Sequence, residues 1–242
     1  MSPASFALCS ALVLVEIIFV PLYLKAMWPT KNWGSLGCKM VCATAYLALA
    51  AVITANVGVS KYSLMMLCGF AFSWLGDFTL HIPKPSKLYF SIGTAFFAAA
   101  HVFFCLAYIG AQKRLFPEIP VFYWWEIALT AALVAAYFTA CLIRKVPFGI
   151  LAVPMVPYAF FVTMMMLKST GLAIRLIYSQ GIEALLPAVL LLLGGFMFIQ
   201  SDGSLALITV DTRYKKFKLK VYNIITYFGA QVCLAFTILF IK

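Results

Sequence analysis

The sequence predicts an all-α, polytopic membrane protein built as a bundle of eight transmembrane helices. Three observations carry that prediction. Of the 242 residues, 65% are hydrophobic and 10% are charged, whereas a soluble domain is about half apolar and about a quarter charged. The mean hydropathy is +1.03. The apolar residues gather into eight long runs, and most Lys and Arg fall in the short breaks between them.

The runs cover approximately 5–24, 39–57, 62–80, 88–110, 120–143, 147–167, 183–208 and 219–241. A helix needs ~20 apolar residues to cross ~30 Å of hydrocarbon. Each run is too continuous for a membrane β-strand, which alternates over ~10 residues. The first run holds Glu16 and has no basic segment before it, so it reads as a retained span rather than a cleaved signal. The second opens on Lys39, and the third ends just past Asp77 in "SWLGDFTLHIP". The fourth carries His101. The fifth begins "FYWWEIA", where Glu126 reads as an interfacial-belt residue. The sixth contains Pro154 and Pro157, so a kink is expected. Its Met164–Met166 run reads as packing, and the "STGLAIRLIYSQG" that follows reads as an interfacial helix. The seventh ends just past Asp202 in "IQSDGSLAL", and the eighth carries Tyr227 and Gln231. Pro, Gly and basic residues mark the breaks, as in "HIPKPSK" and "DTRYKKFKLK". Residues 1–242 read as a single integral membrane domain, with no internal repeat.

Charge and cysteine narrow the function classes. The net charge is +11, yet no basic stretch with interleaved aromatics supports a nucleic-acid partner. The partner it implies is the bilayer. Counting bases in the breaks, one side holds twelve of the Lys and Arg residues and the other six. The richer side is expected to be cytoplasmic, with both termini facing away from it. The seven cysteines lie mostly inside apolar runs without a CxxC pair, which suits small hydrophobes. Only His81 and His101 are present, so a three-histidine zinc site cannot be built. No GxSxG marks a serine hydrolase. No metal and no other cofactor is expected.

The intramembrane polar groups share a depth. Asp77 and Asp202 lie roughly 5 and 9 Å in from the lysine-rich ends of their spans, at ~1.5 Å per residue. Lys39 opens its span from that same side, and His101, Tyr158 and Gln231 follow it toward the middle. Such groups are costly in hydrocarbon and default to function. Each has a plain structural alternative: a snorkelling acid or lysine, a satisfied core histidine, an interhelical hydrogen bond. Glu16 reads as structurally paired. Two carboxylates near one depth suit acid and base work, one protonated and the other ionised.

"AFSWLGDFTL", His101 in "AAAHVFFCLAY", "GGFMFIQSDGSLAL" and "ITYFGAQVCLAF" together resemble the YhhN family of lysoplasmalogenases, over nearly the whole chain. Lys39 in "GSLGCKMVCA" falls where that family carries a lysine near its second span. The departures are Phe104, where the family often has Tyr, Phe228 in place of a second tyrosine, and the ending of the segment after "SDGSLAL". The resemblance implies an eight-helix hydrolase that cleaves the vinyl ether of a lysoplasmalogen to a fatty aldehyde and glycerophospho-ethanolamine or -choline. It makes Asp77 and Asp202 the candidate catalytic pair. Lys39 would hold phosphate or tune an Asp, while His101, Tyr158, Tyr227 and Gln231 orient water or substrate. The expected location is a bacterial inner membrane or the endoplasmic reticulum. The competing class is a proton-coupled transporter or lipid-binding protein that uses the same two acids, with helices broken at Pro154 and Pro157.

Overall fold

The computed structural model describes residues 2–84 and 86–241. Eight α-helices make up most of this chain: α1 (Pro3–Met27), α2 (Trp33–Val57), α3 (Lys61–His81), α4 (Lys87–Leu115), α5 (Trp124–Ile143), α6 (Ala152–Gln180), α7 (Leu185–Val210) and α8 (Phe217–Thr237). Short 3-10 turns lie at Gly149–Leu151, Gly181–Ala184 and Thr212–Tyr214. No strand occurs among the described residues.

Seven stretches of helix are long and apolar enough to cross a membrane. The sixth of them, Gly149–Val210, is 62 residues long and contains both α6 and α7. The two helices part at Gly181, whose φ of 63° needs a residue without a Cβ. They then pack on each other, so that Gly195 of α7 sits against Ser169 of α6.

Two readings from the sequence change here. Residues 169–180 are not an interfacial helix; they are the last turns of α6. Nor is α6 broken by its prolines. Pro154 falls in the first turn, where a missing N–H costs nothing, and the helix continues through Pro157.

Helix starts follow from local polar chemistry. Asn32 and Ser35 form a capping box at α2, and Ser60 and Ser63 form another at α3. Ser2 and Ser86 cap α1 and α4. At the far end of α7, the Arg213 guanidinium grips Asp211 and also donates to the carbonyls of Arg144 and Lys145. That bond holds the Asp211 carboxyl below the usual carboxylate range.

The packing order positions the site. The helices α2, α3, α4, α6, α7 and α8 each contact the next, and α8 returns to α2, which closes a ring of six. Outside the ring, α1 lies on α2 and α8, and α5 lies on α6. These two are the least buried of the long helices. The ring interior is aromatic. Tyr46, Phe70, Phe104, Phe198, Tyr227 and Phe228 interlock at 4.9–6.4 Å between ring centroids.

Gly76, the residue before Asp77, marks a close approach of α3 to α4. A Cβ there would stand 2.6 Å from two atoms of the Phe97 ring. Overpacking of this kind costs about 1–3 kcal/mol. Gly76→Ala is therefore expected to melt several degrees lower than the wild type in detergent. Gly37→Ala, where nothing lies within 4 Å of the new methyl, should not. Equal melting of the two variants would overturn this account of the glycine.

Candidate functional site

All the polar residues singled out in the ring spans come from the six ring helices, and they converge as two clusters. The first surrounds Asp77 on α3, which is 1% exposed. Lys39 Nζ of α2 stands 2.8 Å from its Oδ1. Its Oδ2 accepts from Tyr46 at 2.9 Å and from Tyr227 at 2.6 Å. Gln231, one turn along α8, donates to the Tyr227 hydroxyl at 3.0 Å. One ammonium and two hydroxyls thus converge on the two oxygens, a donor set that suits a carboxylate.

The second cluster surrounds Asp202 on α7. Tyr158 of α6 donates to its Oδ2 at 2.5 Å. His101 Nε2 of α4 lies 3.1 Å from the Tyr158 hydroxyl and 3.4 Å from the same Oδ2. The tyrosine gives its only proton to Asp202, so Nε2 must be the donor toward Tyr158. Both contacts use Oδ2, and no hydrogen bond to Oδ1 occurs among the described residues. The clusters repeat one plan: a tyrosine holds the acid, and a second side chain holds the tyrosine.

Aromatic rings join the two halves. Phe198 packs on His101 at 4.8 Å and on Tyr227 at 5.6 Å. Two of the three departures from the family pattern fill this junction with packing. Phe104 is fully buried against Gly69, Phe70 and Phe198, and Phe228 packs on Tyr23, Tyr46 and Tyr227.

A cavity of ≈ 540 Å³ opens beside Asp202, within the usual range for a small-molecule site. Its walls are mostly apolar and come from α4, α5, α6, α7 and α8, with Leu80 of α3; they include Phe90, Phe97, Val134, Met155 and Val162. Asp202, Tyr158 and Tyr137 are among the polar groups on it. The polar groups read as sharing a depth do not all reach this cavity. Asp202 and Tyr158 line it, while Asp77, Lys39, His101, Tyr227 and Gln231 do not. The physical reason is the aromatic wall: Phe97 packs on Tyr227 and screens the Asp77 cluster from the void.

Ser201, next to Asp202, faces the other way and ties α7 to α8. It donates to the Asn223 carbonyl at 3.0 Å and accepts from the Asn223 amide at 2.9 Å. The "SD" pair thus has one residue for the frame and one for the cavity.

Other readings are also revised. Lys39 does not snorkel; it is buried and ion-paired. Glu126 is not an interfacial-belt residue. It is buried at the start of α5 and pairs with Lys168 at 2.6 Å, and Lys168 also donates to the Val121 carbonyl. Glu16 is 5% exposed, and neither carboxyl oxygen has a hydrogen-bond partner among the described residues. The expected pairing is absent, and the Cys42 thiol is its polar neighbour. Tyr46 was overlooked in the sequence. Its signal is the spacing, since Lys39 and Tyr46 lie seven residues apart on one face of α2.

The YhhN family profile matches residues 34–238. The chain belongs to the YhhN family. The matched residues include every member of both clusters and leave out the whole of α1. No curated protein and no solved structure matches the chain. Membership of this YhhN chain is consistent with a hydrolase role in a membrane.

Proposed function

We propose that this protein is a membrane lysoplasmalogenase: a hydrolase of the vinyl ether bond of a lysoplasmalogen, releasing a fatty aldehyde and glycerophospho-ethanolamine or -choline. Family membership supports the reaction class. The observation that carries the reading is an acid, Asp202, at the polar side of an apolar cavity, with no hydrogen bond to its Oδ1 among the described residues.

The chemistry needs acid, water and base. Protonation of the vinyl β-carbon gives an oxocarbenium ion. Water adds to it, releases a proton and leaves a hemiacetal, which collapses to aldehyde and alcohol. In this reading Asp202 donates the proton and then takes one back from water. Tyr158 and His101 fix its carboxyl plane. Asp77, held by Lys39, Tyr46 and Tyr227, supplies negative charge near the developing cation. The alkyl chain occupies the apolar cavity, and no cofactor takes part.

In the same reading α6 and α7 cross separately, since 62 helical residues extend roughly 90 Å at ~1.5 Å each, about three bilayer cores. That makes eight crossings in one domain, with the lysine-rich face cytoplasmic. The test is aldehyde release by purified protein in detergent, with lysoplasmalogen as substrate. Detergent abolishes compartments, so a transporter or a passive lipid binder gives no product there. Absence of aldehyde across ethanolamine and choline substrates would defeat the proposal.

A further inference from the structure

Lys220 is 7% exposed in the first turn of α8. Its ammonium has one protein acceptor, Asn223 Oδ1 at 2.9 Å. No carboxylate forms an ion pair with it among the described residues. Burying an ammonium without a counter-charge is costly, and the neighbours raise that cost. Trp28 packs on Phe217 at 5.4 Å, which brings the segment that carries Lys31 against the start of α8 and adds a like charge. Asp77 is already paired with Lys39.

Lys31 is exposed, and its ammonium donates to the Leu80 carbonyl at 2.6 Å. Packing around the ammonium, with Lys39 and Lys215 nearby, pulls its pKa down to about 8. The α8 N-terminus adds to the same field. It has no side-chain cap and no acid in its first turn, and the helix dipole is positive there. The cluster therefore holds more positive charge than its acids balance, at a site where anions are favoured.

Its position gives the anion a meaning. Leu80, whose carbonyl holds Lys31, and Leu219, next to Lys220, both line the cavity that contains Asp202. The basic cluster thus lies directly behind two residues of the cavity wall.

We propose that Lys220 and Lys31 form a phosphate subsite that seats the phosphodiester of a single-chain phospholipid, while Lys39 stays with Asp77. This rests on the lysoplasmalogen reading for its substrate, and it reassigns the phosphate from Lys39. The chain lies in the cavity, and the phosphate sits beside those two residues of its wall.

The test is binding, not turnover. Purified protein is titrated with acyl lysophosphatidylethanolamine, which has no vinyl ether, and with monoacylglycerol of the same chain. The phosphate lipid should bind about tenfold or more tightly, the scale of a charge-assisted contact. Lys220→Met should erase most of that preference and Lys220→Arg should keep it. A merely structural role would weaken both lipids alike. If Lys220→Met does not fold, Lys31→Met carries the same expectation. Glycerophosphoethanolamine and inorganic phosphate serve as competitors. Displacement of the lipid by millimolar phosphate alone would point to a free-anion site and overturn the lipid assignment. An unchanged preference in both methionine variants would overturn the subsite. The two proposals fail separately: a lost preference without aldehyde release defeats only the enzyme reading, and aldehyde release with an unchanged preference defeats only the subsite.

Discussion

Asp202→Asn should lower aldehyde release by about 10²–10⁴-fold, the usual contribution of a general acid or base, while the protein still folds. The asparagine has the same shape. Its carbonyl can accept from Tyr158 as Oδ2 does now, so the frame that holds the residue is kept. Ser201, the neighbour that ties α7 to α8, is untouched. What the variant loses is a proton to give and a site to take one back. The melting temperature should therefore move little while turnover collapses. Tyr158→Phe separates the roles further. It leaves the Asp202 carboxyl in place but removes its 2.5 Å donor, so its loss of rate should be smaller than that of Asp202→Asn. Full activity in Asp202→Asn would rule out the acid mechanism. A collapse in melting with it would make the residue structural.

How far the sequence announces this arrangement depends on the range of each interaction. The helices are legible because hydropathy is local: each of the eight runs falls on one helix. The placement of Asp77 and Asp202 near the ends of their apolar runs is legible for the same reason. The side each acid faces is not. Both ring-closing contacts, α4 with α6 and α8 with α2, skip chain neighbours, so the sequence cannot say which side chains meet.

Glu126 shows the failure plainly. It sits in an aromatic stretch that looks interfacial, and its partner Lys168 is 42 residues away. The reading of 169–181 failed because Ser, Thr and Gly resemble a break, while Ser169 and Thr170 bond to backbone carbonyls of their own helix. The separation of the two acids depends on where Phe97 and Phe198 pack, and rotamers leave no periodic trace.

Lys39→Met should be the most destabilising single change in the Asp77 cluster, and Lys39→Met/Asp77→Asn should recover most of the loss. Removing one member of a buried pair typically costs about 3–5 kcal/mol, because the other charge stays buried and unpaired. Asp77 is 1% exposed, and its remaining donors are two neutral hydroxyls. Asp77→Asn alone is milder: a freed lysine has a flexible stem and can move its ammonium toward the lysine-rich face. In the double variant no charge is stranded, and the asparagine carbonyl still accepts from Tyr227. Thermal or denaturant unfolding of all four proteins closes a double-mutant cycle, which should show strong positive coupling. Activity should not follow stability. If Asp77 supplies charge to the cation, the double variant regains its fold without regaining turnover. Additive losses would remove the pair from any account of stability. An active double variant would confine it to packing and leave Asp202 as the only acid in the chemistry.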